Sequence, residues 1–422
     1  MDTTILNCVI IGASHAGANC AIELRKQGWL GSIYLIDADE NLPYHRPPLS
    51  KDYLSQDTDG TASFKPLFAE ERYLEEEIVT KLGVKVVSVN ASVRSITLDN
   101  GEILGYDKLV LATGASAVIP PIEGIDECKR VRVLRKAQDA LQIQQDFKTS
   151  TNKKVVIIGG GYIGLETAAS LKKMGGNITV LEREERILAR VAPVELAHYF
   201  QELHSKNGVQ IYTGTFAIKI METDTALEIY CADGSVFKAD VLIVGTGVQP
   251  NISLAIEVGA EIDNGIKVDG HLQTSVEDIY ALGDVVQFYH SRYKQWMRLE
   301  SVQNAVDQAK IVAANILGNA QTYSAIPWFW SDQFHVKLQM VGLSQGFTKK
   351  VVRKEVDKKD CFSIWYFKNE ELIAVDAVNN GKAFVLGGKF LKNNTLLDPL
   401  KIADCTIPFK PNNLIKIERN VH

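Results

Sequence analysis

Residues 4–17 read TILNCVIIGASHAG, and residues 154–164 read KVVIIGGGYIG. In both, a run of apolar, largely β-branched residues stops at a glycine, small residues follow, and a helical pattern begins. That pattern covers Ala18 to Gln27 in the first case and runs to about Lys173 in the second. Each helix leads to another apolar run closing on an acid: SIYLID ends on Asp37 and NITVLE on Glu182. Gly12 and Gly159 are 147 residues apart, as are Gly17 and Gly164, and Asp37 and Glu182 are 145 apart. One β-α-β unit therefore occurs twice. Glycines between strand and helix let the backbone turn sharply against a pyrophosphate, whose charge the helix N-terminus meets, and the acid after the next strand binds a ribose. A lone glycine motif is weak, but strand, turn, helix and acid in duplicate imply two dinucleotides. The first site draws on Gly12, Ser14, Ala16, Gly17 and Asp37, the second on Gly159, Gly161, Tyr162, Ile163, Gly164 and Glu182. Ser14 replaces the middle glycine, where only a small residue fits beside phosphate. Asp39 points to the same side as Asp37, so either could serve the first ribose.

Each copy is followed by an apolar strand that stops at a glycine turn, YDKLVLATG at Ala112-Thr113-Gly114 and ADVLIVGTG at Gly247. Proline loops follow, with Pro120-Pro121 and Pro250, and domain boundaries fit there. A further turn, DIYALGDVV, sets Gly283 and Asp284 at a strand end, where the carboxylate could bind a cofactor polyol or simply close a turn. A helical pattern spans about Val302 to Leu317. The alternating runs FSIWYF and ELIAVDAV predict a strand-rich C-terminal domain.

The 422 residues suggest two or three domains, and 46% hydrophobic with 23% charged residues is ordinary globular composition. A net charge of −5 gives no reason to expect nucleic acid or an anionic membrane as partner. No apolar stretch approaches the ~18–20 residues that span a bilayer. The first strand begins almost at Met1, so no signal peptide is expected. Six scattered cysteines, Cys8, Cys20, Cys128, Cys231, Cys361 and Cys405, argue against a disulfide framework and a thiolate metal site. The expectation is a cytoplasmic protein without a metal.

The order GASHAG, RPPLSK, LATGA, GGGYIGLE, YALGD, RLESVQNA and PWFWSDQF resembles the FAD-dependent, NADH-using ferredoxin reductases of Rieske-type oxygenases and bacterial cytochromes P450. Rubredoxin reductases are similar. The resemblance implies an α/β chain with two tandem Rossmann-like domains in the manner of glutathione reductase, plus a C-terminal α+β domain. FAD would occupy residues 1–115 and 248–323, NAD residues 116–247, and residues 324–422 would form the smaller domain against the flavin. It further implies flavin contacts at Arg46, Lys51, Ala112, Thr113, Gly114, Gly247, Gly283, Asp284, Val302 and Trp328. Lys51 matches the family lysine beside the flavin that pairs with the glutamate of GLE, here Glu166. The prolines of RPPLSK would place it, although an ordinary surface lysine is the alternative. The helix after RLES would turn its N-terminus toward the flavin pyrimidine. Trp328 is favoured over Trp330 as the closer aromatic, with core packing as the other reading. Tyr162 either covers the nicotinamide site or packs on its helix, and His15 reads as structural.

The partner implied is a small acidic [2Fe-2S] ferredoxin or a rubredoxin, and the oligomer a monomer or weak dimer. A disulfide reductase or NADH oxidase would carry cysteine soon after the first unit, and residues 41–55 contain none. A flavoprotein resembling apoptosis-inducing factor is disfavoured by the lack of a targeting segment. Glu182 predicts NADH over NADPH, with Arg183 and Arg186 near enough to soften repulsion of a 2′-phosphate. Residues 324–422 hold 15 Lys and Arg against 10 Asp and Glu, a net of +5, which leaves −10 for residues 1–323. The dense stretch Lys349-Lys350-Val351-Val352-Arg353-Lys354, with Lys358 and Lys359, reads as a docking face for an acidic partner or as a solvated loop.

Overall fold

The first apolar run forms strand β1 (Asn7–Ile11) in a computed structural model that describes residues 6–55, 64–356 and 358–416. Thr4 and Ile5 of that run lie outside the described residues. Helix α1 (His15–Lys26) follows, then β2 (Ser32–Asp37), which pairs parallel to β1. The second copy repeats this as β3 (Lys154–Ile158), α2 (Tyr162–Lys173) and β4 (Asn177–Leu181). Helix α1 begins about one turn earlier than the apolar pattern suggests, because the glycine turn itself supplies the cap, and α2 ends at Lys173 as expected. Ser14 and Gly161 hold extended N-cap conformations, at φ −87° and −80°.

The two units build two five-stranded parallel sheets. One runs Ile279–Ala281, Lys108–Leu111, β1, β2, Ile78–Leu82; the other runs Gln210–Tyr212, β4, β3, Val241–Val244, Val131–Val133. Val9, Ile10, Val110 and Ile157 are fully buried, as expected of parallel strands covered on both faces. Helix α3 (Val302–Ile316) packs against α1 beneath the first sheet. Between the sheets the chain crosses twice, and the crossings pair as an antiparallel ribbon of Ala115–Ala117 with Val248–Pro250.

The C-terminal region is a five-stranded antiparallel sheet in the order β5 (Trp328–Gln333), β6 (Val336–Gly342), Glu371–Val378, Phe362–Lys368, Lys349–Lys354. The helix Gly381–Lys392 covers one face over Trp365, Phe367 and Val375. Ile364, Tyr366 and Leu338 on the other face share one apolar core with Phe200 and Leu203 of the helix Val194–Lys206, which belongs to the second unit.

The basic stretch is not a loop, and only part of its charge faces outward. It is a sheet-edge strand whose alternation turns Val351 and Arg353 inward. Arg353 is buried, donates to the carbonyls of Ile402, Asp404 and Ile407 at 3.1, 2.8 and 2.9 Å, and lies over Phe409. Lys350 Nζ bridges both oxygens of Glu195 at 2.6 and 2.8 Å. Lys349, Lys354, Lys358 and Lys359 remain exposed.

Candidate active site

The two glycine turns match in detail. Gly12 and Gly159 hold φ of +107° and +111°, and a Cβ on either would fall 2.2 or 2.3 Å from a backbone oxygen of the neighbouring strand end, Ala112 or Gly245. A Cβ on Gly161 would meet nothing within 4 Å, which explains why Ser14 is tolerated at the equivalent place. Asp37 Oδ2 accepts the Ala13 N–H at 2.6 Å and Oδ1 that of Asp39 at 2.9 Å. Glu182 repeats this, with Gly160 N–H at 2.7 Å and Glu184 N–H at 2.9 Å. Asp39 instead accepts from Asn41 N–H and the Tyr44 hydroxyl, so the counterpart of Glu182 is Asp37. Of the two arginines near Glu182, Arg186 donates to the carbonyls of Leu188 and Ala189, and Arg183 is exposed beside Glu184.

Both turns open on one cavity of about 1210 Å³, beyond the ~300–1,000 Å³ of a single small-molecule pocket. The predicted residues lining it are Ser14, Ala16, Arg46, Lys51, Ala112, Gly114, Gly159, Gly161, Tyr162, Ile163, Gly164, Glu166, Glu182, Gly247, Gly283, Asp284, Val302 and Trp328. Asp37 lines a small adjoining recess with Ser14 and Arg46. Gly12 and Gly17 stay behind the wall. Thr113 holds the crossing ribbon, its hydroxyl donating to Asn251 O at 2.7 Å. No cysteine lines the cavity among the described residues.

At the junction of the units stands a buried charge pair. Pro47–Ser50 form one 3₁₀ turn that sets Lys51 against α2, and Lys51 Nζ lies 2.6 Å from Glu166 Oε2. Glu166, 1% exposed, also accepts Ser50 Oγ–H at 2.5 Å and Ser331 Oγ–H at 2.6 Å. Behind Ser331, Gln333 Nε2 donates to its oxygen at 3.1 Å, and His204 Nε2 lies 2.8 Å from Gln333 Oε1. Burial pushes His204 down to about 4, so the imidazole is neutral and its Nε2–H is the donor. Every bond in this row points toward Glu166. Ser50 stands within RPPLSK, and Ser331 and Gln333 within PWFWSDQF, but the sequence alone assigns no role to them or to His204. Alternation within FWSDQF was the available signal, since Phe329, Ser331 and Gln333 share one face of β5.

That face turns to α2: the Phe329 ring is 5.1 Å from Tyr162, whose hydroxyl donates to Met340 Sδ at 3.2 Å. Trp328 and Trp330 lie on the opposite face, with Trp328 5.6 Å from Phe384 and from Trp330. Trp328, Phe329 and Trp330 all line the cavity, and of the three Phe329 shares its strand face with Ser331.

At the far wall Arg135 reaches Asp284 at 2.8 Å, and Arg298 pairs with Glu300 at 2.7 Å and donates to Asp284 O. Burial raises Glu300 above the usual carboxylate range. The α3 N-terminus, capped by Ser301 Oγ, opens here. His15, read as structural, stands in the cavity wall. Its Nε2 has no partner, and burial lowers it to about 4, so it presents a neutral nitrogen. With Thr167 Oγ1 also unpartnered, three helix N-termini and the open space at Gly161, these groups fit dinucleotides carrying pyrophosphates. Among the described residues no cluster of three His, Cys, Asp or Glu could hold a metal, and no helix is long and apolar enough to cross a membrane.

Residues 6–309 match the family model described as pyridine nucleotide-disulphide oxidoreductase, and residues 328–412 that described as reductase C-terminal. The chain is 36% identical to putidaredoxin reductase of Pseudomonas putida, covering 96% of each sequence. It is 38% identical to a ferredoxin–NAD(P)+ reductase of a Sphingomonas species, covering 94% of this chain and 96% of that one. Among solved structures it is similar to the reductase in the covalent putidaredoxin reductase–putidaredoxin complex, with a TM-score of 0.89 and 35% identity over 95% of this chain and 96% of that one.

Proposed function

Because the chain belongs to the pyridine nucleotide-disulphide oxidoreductase family, among its ferredoxin reductases, we propose that it carries electrons from NADH to a small acidic [2Fe-2S] ferredoxin serving an oxygenase. It is an NADH-dependent flavoprotein oxidoreductase, placed by this role in the cytoplasm. FAD belongs to residues 1–115 and 248–323, NAD to residues 116–247, and residues 324–422 close the site and offer the basic face.

The chemistry supplied by bound FAD is acceptance of a hydride and release of electrons singly. The chain's own residues bind and orient. Asp37 and Glu182 hold the two adenosine riboses in equivalent clamps, while the N-termini of α1 and α2 face the pyrophosphates. Lys51, fixed by Glu166 and the 3₁₀ turn, would offer an ammonium to bound flavin, and the α3 N-terminus a second positive group, both suited to stabilise negative charge there. Tyr162 and Phe329 form an aromatic wall that would exclude water from bound cofactors.

The observation that carries this reading is one cavity joining two matching glycine turns, with Lys51–Glu166 at the junction and no thiol in its wall among the described residues. Cytochrome c reduction by NADH, with purified ferredoxins or rubredoxins as intermediaries, tests it. Turnover that needs a ferredoxin supports it; equal rates without an iron–sulfur protein refute it.

A further inference from the structure

One cavity group has no place in this account. Asp376 stands in the middle of the C-terminal sheet, opposite Met340 on one neighbouring strand and Ile364 on the other, and lines the cavity while only 5% exposed. Its Oδ2 accepts the Tyr366 hydroxyl at 2.6 Å, and no basic side chain pairs with it among the described residues. An unpaired carboxyl buried in an apolar strand is costly and marks a functional position.

The groups facing it are few. Met340 and Ile364 on the flanking strands carry no charge, and Tyr366 donates from the strand Phe362–Lys368. From α2 come Tyr162, its hydroxyl committed to Met340, and Glu166, already holding Lys51. Beyond Tyr366 lie Glu195, neutralised by Lys350, and His198 beside Glu195. Burial pushes Asp376 up to about 7, which the Tyr366 hydrogen bond partly opposes.

On the reading that the second unit holds NAD, the nicotinamide end leaves the pyrophosphate at the α2 N-terminus and runs along the face of Tyr162 and Glu166, one helical turn apart, toward Lys51. Tyr162 is tied to Met340, the cross-strand neighbour of Asp376, so this path passes before the carboxyl. When hydride leaves C4 of NADH with both electrons for the bound FAD, the ring it leaves becomes the NAD+ cation, and no proton is consumed. We propose that Asp376 sets the preference of this site for the oxidised over the reduced nicotinamide, its ionised carboxylate drawing the cationic ring and leaving neutral NADH unaffected. The same attraction favours the positive charge that develops as hydride departs.

The test is titration of the FAD-loaded protein with NAD+ and, separately, anaerobically with NADH after prior reduction of the flavin, from pH 6 to 8. NAD+ affinity should rise roughly fivefold across this range as the carboxylate ionises, with proton release on binding below pH 7, while NADH affinity stays flat. Asp376→Asn should abolish the rise. Tyr366→Phe, which removes the donor that favours the ionised form, should move its midpoint to higher pH, and it decides the matter if Asp376→Asn does not fold. An unchanged rise in Asp376→Asn, or an unchanged midpoint in Tyr366→Phe, overturns the assignment. Binding of both nucleotides with a pH-independent ratio overturns it while sparing the NAD site; failure to bind either nucleotide overturns both.

Discussion

Lys51 Nζ stands 2.6 Å from Glu166 Oε2, although 115 residues separate the two, Lys51 following the first β-α-β unit and Glu166 lying within the second. The pair therefore ties the flavin-side turn to the helix that begins the nicotinamide site. Lys51→Met should retain FAD yet slow flavin reduction by NADH about 10- to 100-fold, because the lost charge matters most as the ring becomes negative. Stability should fall by less than the ~3–5 kcal/mol of a broken buried pair, since Ser50 and Ser331 still donate to Glu166. Stopped-flow reduction and a thermal melt read the two effects separately; an unchanged reduction rate would make the lysine structural.

Nucleotide choice rests on Glu182. Both its oxygens are fixed by backbone N–H groups, so the carboxylate cannot swing away from a 2′-phosphate, and Arg186 is occupied by two carbonyls. NADH should exceed NADPH in kcat/KM by about 100-fold, close to 2.7 kcal/mol. Equal values for the two nucleotides would contradict this clamp.

Docking of an acidic ferredoxin should depend on the cations left free. Changing Lys349, Lys354, Lys358 and Lys359 to Gln should lower the second-order reduction rate about tenfold at low salt and flatten its dependence on ionic strength. Arg353→Gln should act differently, lowering the melting temperature through three lost carbonyl contacts. A rate indifferent to both salt and the four lysine changes would remove this edge from the docking face.

Stability should fall in acid through His204. Its folded-state pKa of about 4 lies below the unfolded value of 6.5, so the unfolded chain binds the extra proton between them and stability is lost as pH falls from 6.5 toward 4. At pH 5 the loss is of order 2 kcal/mol relative to pH 7. Urea midpoints at the two pH values, for the wild type and His204→Asn, measure it; the variant should lose clearly less, and equal losses would assign the acid sensitivity elsewhere.

The duplicated units were legible because a glycine that nearly touches a neighbouring carbonyl leaves a fixed mark in the sequence, and the acid that clamps the turn comes at a regular distance after it. Lys51 and Glu166 are different: nothing in their spacing pairs them, and only the likeness to the ferredoxin reductases joined them. Ser331, Gln333 and His204 were hidden because alternation says which residues of β5 share a face, not which face meets α2. Asp376 did leave a trace, as the one charge within the otherwise apolar LIAVDAV. A count of charge in the basic stretch overstates what it offers a partner, because a strand sends every second residue inward, as at Arg353.

The apolar core that Phe200 and Leu203 share with Leu338, Ile364 and Tyr366 governs how the protein can be rebuilt. Exchanging the second unit alone for one of different nucleotide preference would cut through that core and strand Ile364 and Leu338 against foreign side chains. The second unit and the C-terminal sheet would have to move together, and the turn carrying Tyr44, Leu49, Tyr53 and Leu54 with them, because those four side chains share the core of Ala137, Ile143 and Phe147.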